Sequence, residues 1–241
     1  METTKKTKEM DMLNGGLAGK LILFSIPLAF SSILQQLFDS ADVAVVGRFA
    51  GGRTLAAVGS CVALVGIFVN LIVGFSVGPN AVLANLIGQK RRDKINRMLH
   101  TIMAFGLIAG VILMGLGMLS ARPILEVSGT PESVMNEALL YIRIYFIGIP
   151  FMMIYNFGSA VLRSFGDTRR PMYYLSLSGT VNVILNLILV IYFKLGVAGV
   201  AIATVISNIL SAGLVLIYLY RREDEFQFRP QRNTGSDFFY F

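Results

Sequence analysis

Tryptophan is absent from this 241-residue chain, and cysteine and histidine occur once each. The lone Cys61 excludes an intrachain disulfide, and one Cys with one His gives a transition-metal site or a Cys–His dyad little to build on. Neither HExxH nor GxxxxGK[ST] occurs, so metalloprotease and nucleotide-binding signatures are missing, and no enzyme activity is expected. Charge is scarce as well: 15% of residues are Asp, Glu, Lys or Arg, against about 25% in an ordinary soluble domain. What fills the chain is apolar: 55% of residues are hydrophobic and the mean hydropathy is +0.68. A soluble reading would need one domain of some 200 residues almost without a polar face, so the bilayer is the expected solvent.

A span needs roughly 20 apolar residues. Six candidates occur, at 19–46, 55–78 with a continuation to 88, 98–120, 138–162, 172–193 and 197–220. The second is long enough to need tilt or a break, which Gly78-Pro79 would supply, and Pro27 is expected to kink the first. The net charge of +7 could suggest nucleic acid, but the cations sit in short runs between apolar segments rather than on one folded face. With the N-terminus inside, sixteen of the 21 Lys and Arg fall on inner segments, including the runs Lys90-Arg91-Arg92 and Arg169-Arg170, and five fall outside. That asymmetry favours six spans and two cytoplasmic ends in the cell membrane, as a multi-pass protein. The polar, basic start, METTKKTKEMDMLNGG, reads as a cytoplasmic lead-in rather than a removable signal. The expected organisation is therefore a tail over 1–16, a six-helix lobe over 17–222, and a second cytoplasmic tail over 223–241, disordered or truncated. Glycine pairs 74/78, 106/110 and 115/117 are expected to let helices approach closely.

An ionisable group inside a membrane is costly and marks function by default. Only Asp39 and Asp42 of the fourteen acidic residues lie within a span. With Gln35 they follow i, i+4, i+7 on the first span, so the three share one face that should line a cavity. Asn182 and Asn186 are i, i+4 on the fifth span, and Thr204, Ser207, Asn208 and Ser211 share a face of the sixth. Depth can be compared at about 1.5 Å per residue. Asp42 lies roughly 9 Å from the outer end, Asn186 and Thr204 roughly 12 Å, and Asn182 about 18 Å. Antiparallel helices thus bring these groups to overlapping depths, where oxygen ligands around a carboxylate suit a proton or Na⁺. Asn208 and Ser211 read as ordinary helix-to-helix hydrogen bonding. Asp39 could be satisfied by Gln35 or Gln36. Pro150, Tyr155 and Asn156 on the fourth span could shape a cavity, but a local kink is the expected explanation. The single His100 is read as interfacial.

Three separated segments resemble the multidrug and toxic compound extrusion (MATE) family, in the right order. IPLAFSSILQQLFDSADVAVVGRFAGGRTLAAVG is similar to that family's first helix and following loop. LLYIRIYFIGIPFMMIYNFGSAVLRSFGDTRRP is similar to its fourth helix and Gly-Asp-Thr loop, and NVILNLILV with GVAGVAIATVISN to its fifth and sixth. The resemblance covers about residues 17–222 and implies the amino-terminal lobe of a two-lobed, twelve-helix exporter. It implies exchange of drugs or organic cations for H⁺ or Na⁺, with no cofactor beyond that coupling ion. The resemblance maps the family's cation site onto Asp42, Asn182 and Thr204; Asn186 stands where many members have a second carboxylate, and Asp39, nearly one turn away, is the candidate to compensate. Gln35, Tyr155 and Asn156 are expected to line the substrate cavity. The expected partners are the bilayer, a drug or organic cation, and a second lobe or another copy of the chain, with no nucleic acid. Two other readings compete: a non-transporting gene fragment or structural half-lobe, and a lipid-linked oligosaccharide flippase of the same superfamily. A flippase cavity should carry several cations for pyrophosphate, and none lies deep in these spans.

Overall fold

The computed structural model describes residues 17–89 and 92–221. The expected tails over 1–16 and 223–241 lie outside the described residues, as do Lys90 and Arg91 of the basic loop. The described chain is all helix and turn. Its helices are α1 (Leu17–Val45), α2 (Gly52–Gly88), α3 (Arg92–Val127), α4 (Glu132–Ile147), α5 (Ile149–Ser164), α6 (Arg169–Leu187) and α7 (Gly196–Arg221). Five spans are single helices long and apolar enough to cross a membrane, and the sixth is the α4–α5 pair, bent by 43°. The fold is thus a six-span membrane bundle, as hydropathy implied.

The bend falls at Gly148, with Pro150 in the first turn of α5. Proline has no N–H to give to the carbonyl four residues back, and its ring crowds that carbonyl, so the helix turns there. Gly148 N–H instead bonds the Tyr145 carbonyl at 2.9 Å, and Met152 N–H takes the Gly148 carbonyl at 3.0 Å. The kink expected near Pro150 is therefore found. The break expected at Gly78-Pro79 is not: α2 runs as one 37-residue helix through Pro79. At 1.5 Å per residue that is about 55 Å, well beyond a hydrocarbon core of about 30 Å, so its extra length goes into tilt and projection. The first helix likewise continues through Pro27, and Ser31 Oγ bonds the Pro27 carbonyl at 2.7 Å. The string GFSVG over 74–78 matches the hydrolase pattern GxSxG. It lies in the middle of α2, where no strand-to-helix elbow exists, and Ser76 Oγ is spent on the Val73 carbonyl at 2.7 Å.

Close helix approach depends on three of the six expected glycines, Gly106, Gly110 and Gly117, and on others besides. A methyl at Gly110 would sit 2.7 Å from the Pro150 backbone, and one at Gly117 would sit 2.5 Å from the Phe146 ring. Gly106 abuts Phe157 in the same seam, between α3 and the bent span. Gly74, Gly78 and Gly115 face open space; their spacing has the right period but points away from any helix. The seams are tightest at Gly158, where a methyl would sit 2.2 Å from Val215, and at Gly179, where one would sit 2.1 Å from the Phe38 ring.

Helix α5 is the centre of the lobe, packed against α2, α3 and α7, with Met153, Phe157 and Leu162 fully buried. On the perimeter, Ile22, Ile67 and Ile108 are each about 60% exposed, which is what a lipid-facing surface requires and a soluble one avoids. Helix α1 is the exception to compact packing: it runs along α6 and barely meets α2. A cavity occupies the gap. Beyond Asp42, α1 ends in a π-helical turn (Val46–Ala50) and α6 in another (Ile188–Tyr192), and the two turns touch. At the opposite end Asp167 is 4% exposed and accepts the Arg170 backbone N–H at 3.1 Å, as a helix cap does. Its carboxylate also pairs with the Arg170 guanidinium, which lies 4.4 Å from the centre of the Tyr218 ring.

Candidate cation and substrate site

The cavity between α1, α2, α4–α5, α6 and α7 has a volume of about 370 Å³. One wall is α1, which presents Gln35, Asp39 and Asp42 at helical spacing, and all three line it. The placement of α1 is set by a knob and socket. Phe38 lies one turn before Asp42, and its ring rests directly on the backbone of Gly179. Gly179, Asn182 and Asn186 are i, i+3, i+7 on α6, so the same register that seats Phe38 brings Asp42 opposite Asn186.

The two groups meet: Asn186 Nδ2 donates to Asp42 Oδ1. Asn186 Nδ2 also lies 3.3 Å from Asn182 Oδ1, and Asn182 Nδ2 reaches Thr204 Oγ1 at 3.4 Å. Thr204 in turn donates to the Val200 carbonyl at 3.0 Å, leaving its oxygen lone pairs toward the amide. The depth comparison made from spacing alone therefore brings together four side chains from three helices that do form one connected chain. Asn186 is fully buried, and its Oδ1 has no hydrogen-bond partner. A buried acceptor without a partner is costly by about 1–3 kcal/mol, and a cation or a protonated group would satisfy it.

Asp39 does not join this chain. Its side chain is exposed to the cavity, and neither Gln35 nor Gln36 bonds it; Gln36 instead offers its backbone carbonyl to Ser40 at 2.7 Å. Tyr155 and Asn156 line the cavity as expected. Tyr155 Oη donates to the Pro171 carbonyl at 3.0 Å, tying α5 to the start of α6, and Asn156 bonds back to the Met152 carbonyl at 2.9 Å. Asn208 and Ser211, read as inter-helix bonding, line the cavity too, and Ser211 bonds the Asn208 carbonyl of its own helix at 3.0 Å. The residues that sequence reasoning missed are Tyr141 and Tyr145. Their rings are 6.2 Å apart and 28° from parallel, and both side chains face the cavity. Their i, i+4 spacing was visible, but an aromatic pair at helical spacing looks the same when it is core.

Among the described residues no Lys, Arg or His lines this cavity. Two carboxylates, several amides and tyrosine faces in a site without a compensating cation favour positively charged occupants. Among the described residues no three His, Cys, Asp or Glu side chains gather to hold a metal ion. An oxygen set of one carboxylate, amide carbonyls and a hydroxyl suits a proton or a monovalent hard cation instead.

The MatE family model matches residues 27–188, which takes in Phe38, Asp42, the bent span and the α6 asparagines. The chain belongs to the MATE family. It is 32% identical to the probable multidrug resistance protein YoeA of Bacillus subtilis over 210 residues, 86% of this chain and 45% of that protein. Its fold superposes on a crystal structure of a MATE protein in the bent conformation with a TM-score of 0.88, covering 97% of this chain and 52% of that one at 24% identity. An outward-facing MATE multidrug transporter matches with a TM-score of 0.85 at 25% identity, over 95% of this chain and 50% of its own. The chain spans about half the length of the relatives it matches, as one lobe of a MATE transporter would.

Proposed function

We propose that this lobe serves in the export of drugs or organic cations in exchange for H⁺ or Na⁺, with the coupling cation taken at Asp42, Asn186, Asn182 and Thr204. The observation that carries the reading is the fully buried Asn186, whose Oδ1 lacks a partner beside a carboxylate already tied to the same side chain. The relatives' description as multidrug resistance proteins supports the export of drugs. In this reading the Arg48 end of α1 faces outward and both ends of the described chain lie on the cytoplasmic side, since the basic residues concentrate there. A second lobe, or a second copy, completes the transporter: α1 and α2 leave the cavity open between them, and the chain spans half of its relatives. The flippase reading loses ground because no cationic side chain among the described residues lines the cavity to hold a pyrophosphate.

The test is ethidium efflux from membranes bearing the chain with Asp42→Asn. The amide keeps the shape of the carboxylate and removes its charge. Efflux should fall by about tenfold or more, since losing a charge-assisted contact costs about 1.5–3 kcal/mol. Efflux unchanged by Asp42→Asn would defeat the role given to that residue.

A further inference from the structure

Lys94 and Arg97 take no part in the cation site, and no carboxylate among the described residues pairs with either. Both are exposed. With Leu86, Met98 and Thr101 they line a second cavity, a groove of about 400 Å³ between the end of α2 and the start of α3. Lys94, Arg97, Met98 and Thr101 are i, i+3, i+4 and i+7, so one face of α3 carries them all. That face continues along the helix as Phe105 and Ile112, both exposed. On α2, Leu86 stands in line with Val82 and Phe75, which are exposed as well. The groove therefore has two cations at its mouth and two apolar ridges leading away from it.

Its depth in the membrane follows from the fold. Leu86 lies two residues before the end of α2 and Lys94 two residues after the start of α3, so the cations sit where two spans meet the headgroup layer. The surrounding sequence adds charge of the same sign: residues 90–97, KRRDKINR, hold five cations and one acid. A soluble anion would use the cations and leave the apolar ridges idle. A neutral lipid would use the ridges and leave the cations unpaired. An amphiphile with a net negative head and acyl tails complements both.

We propose that this groove binds an anionic phospholipid of the cytoplasmic leaflet, its phosphate held by Lys94 and Arg97 and an acyl chain laid along the Phe105 face of α3. The leaflet follows from the orientation given above, where anionic lipids attract basic segments; the site is otherwise independent of what the lobe exports. The lipid would bridge α2 and α3 where the two helices turn into each other. The rival is that both side chains merely snorkel to the surface and attract anionic lipid without a site.

The experiment is native mass spectrometry of the purified chain in detergent, titrated with phosphatidylglycerol or with phosphatidylcholine. The variants are Lys94→Gln with Arg97→Gln, Arg169→Gln with Arg221→Gln, and Thr101→Trp. The second pair removes the same charge from exposed positions on the same side of the membrane, and Thr101→Trp fills the groove without changing charge. Cys61 is buried and is the only cysteine, so its silence toward a maleimide dye checks that each variant is folded. The first phosphatidylglycerol should bind about ten- to thirtyfold more tightly than phosphatidylcholine, from about fivefold for each cation. The Lys94→Gln, Arg97→Gln protein should lose that preference, and the Arg169→Gln, Arg221→Gln protein should keep it within about threefold. Thr101→Trp should weaken phosphatidylglycerol by about fivefold or more. Excess glycerol 3-phosphate, a phosphate without acyl chains, should leave the lipid bound. Equal losses in the two charge pairs mean diffuse attraction and overturn the inference. Full binding in Thr101→Trp, no preference in the unsubstituted chain, or displacement by glycerol 3-phosphate overturns it too. None of these outcomes bears on the role of Asp42 in export, which the efflux assay reads separately.

Discussion

Gly179→Ala is a one-methyl change with a large expected effect. The added Cβ would lie 2.1 Å from Cε2, 2.2 Å from Cδ2 and 2.5 Å from Cζ of Phe38. Carbon atoms in contact prefer about 3.5–4.0 Å, so the ring must retreat by roughly 1.4 Å or more. Three close ring atoms leave no single soft end to yield. If the ring swings away, the knob that registers α1 on α6 is gone. If α1 moves with it, Asp42 moves as well, and a shift of that size carries its carboxylate out of hydrogen-bonding range of Asn186. Overpacking costs about 1–3 kcal/mol, and stranding Asn186 adds about 1–3 kcal/mol. The assay is thermal unfolding in detergent, read by a maleimide dye that reaches Cys61 only when the buried thiol is exposed. A midpoint lowered by roughly 2–4 °C per kcal/mol is expected for a chain of this size. Phe38→Leu in the Gly179→Ala background should recover much of the loss, giving a coupling of about 0.5–3 kcal/mol between the two sites. A Gly179→Ala protein with an unchanged midpoint, or strictly additive single and double changes, would refute the knob-and-socket account.

The matching control is Gly78→Ala. Nothing lies within 4 Å of the position where its Cβ would sit, so the change should be neutral or raise stability by up to about 1 kcal/mol through helix propensity; a clear drop in the same thermal assay would show that the open face is covered. Asp167→Ala removes both the acceptor for the Arg170 N–H and the partner of its guanidinium. Loss of such a cap costs about 0.5–2 kcal/mol, and hydrogen exchange should speed up in the first turn of α6 while the α1–α6 seam stays protected. Uniform protection across the first turn of α6 would remove the capping role from Asp167.

Much of the Asp42 cluster is legible in the sequence, because a membrane makes intramembrane polar groups conspicuous. A buried carboxylate stands out against apolar residues, and helices of known rise and direction convert sequence distance into depth. Asp42, Asn182, Asn186 and Thr204 were placed together on that basis, and they form one hydrogen-bonded chain. Depth says nothing about rotation around each helix axis, however. Gly74 and Gly78 have the spacing of a packing motif and point into open space, whereas Gly158 and Gly179, unpaired in sequence, hold the tightest seams. Asp39 shared a face with Asp42 by periodicity but sits outside its hydrogen-bonded chain. Tyr141 and Tyr145 turned toward the cavity for reasons that lie in the bent span rather than in their own spacing.

Proline shows the same division. Pro150 bends its span and Pro79 does not break α2, although each interrupts an apolar run. Pro150 adjoins Gly148 in the centre of the lobe, where α3 presses on its backbone at Gly110. Hydropathy and the distribution of Lys and Arg determined that the chain crosses the membrane six times, because transfer free energy and membrane charge asymmetry act on each segment separately. Which faces meet, and therefore which carboxylate joins the Asn186 chain, was decided only by the tertiary structure. That outcome depends on contacts such as Phe38 against Gly179, between residues 141 positions apart, and no local rule couples them.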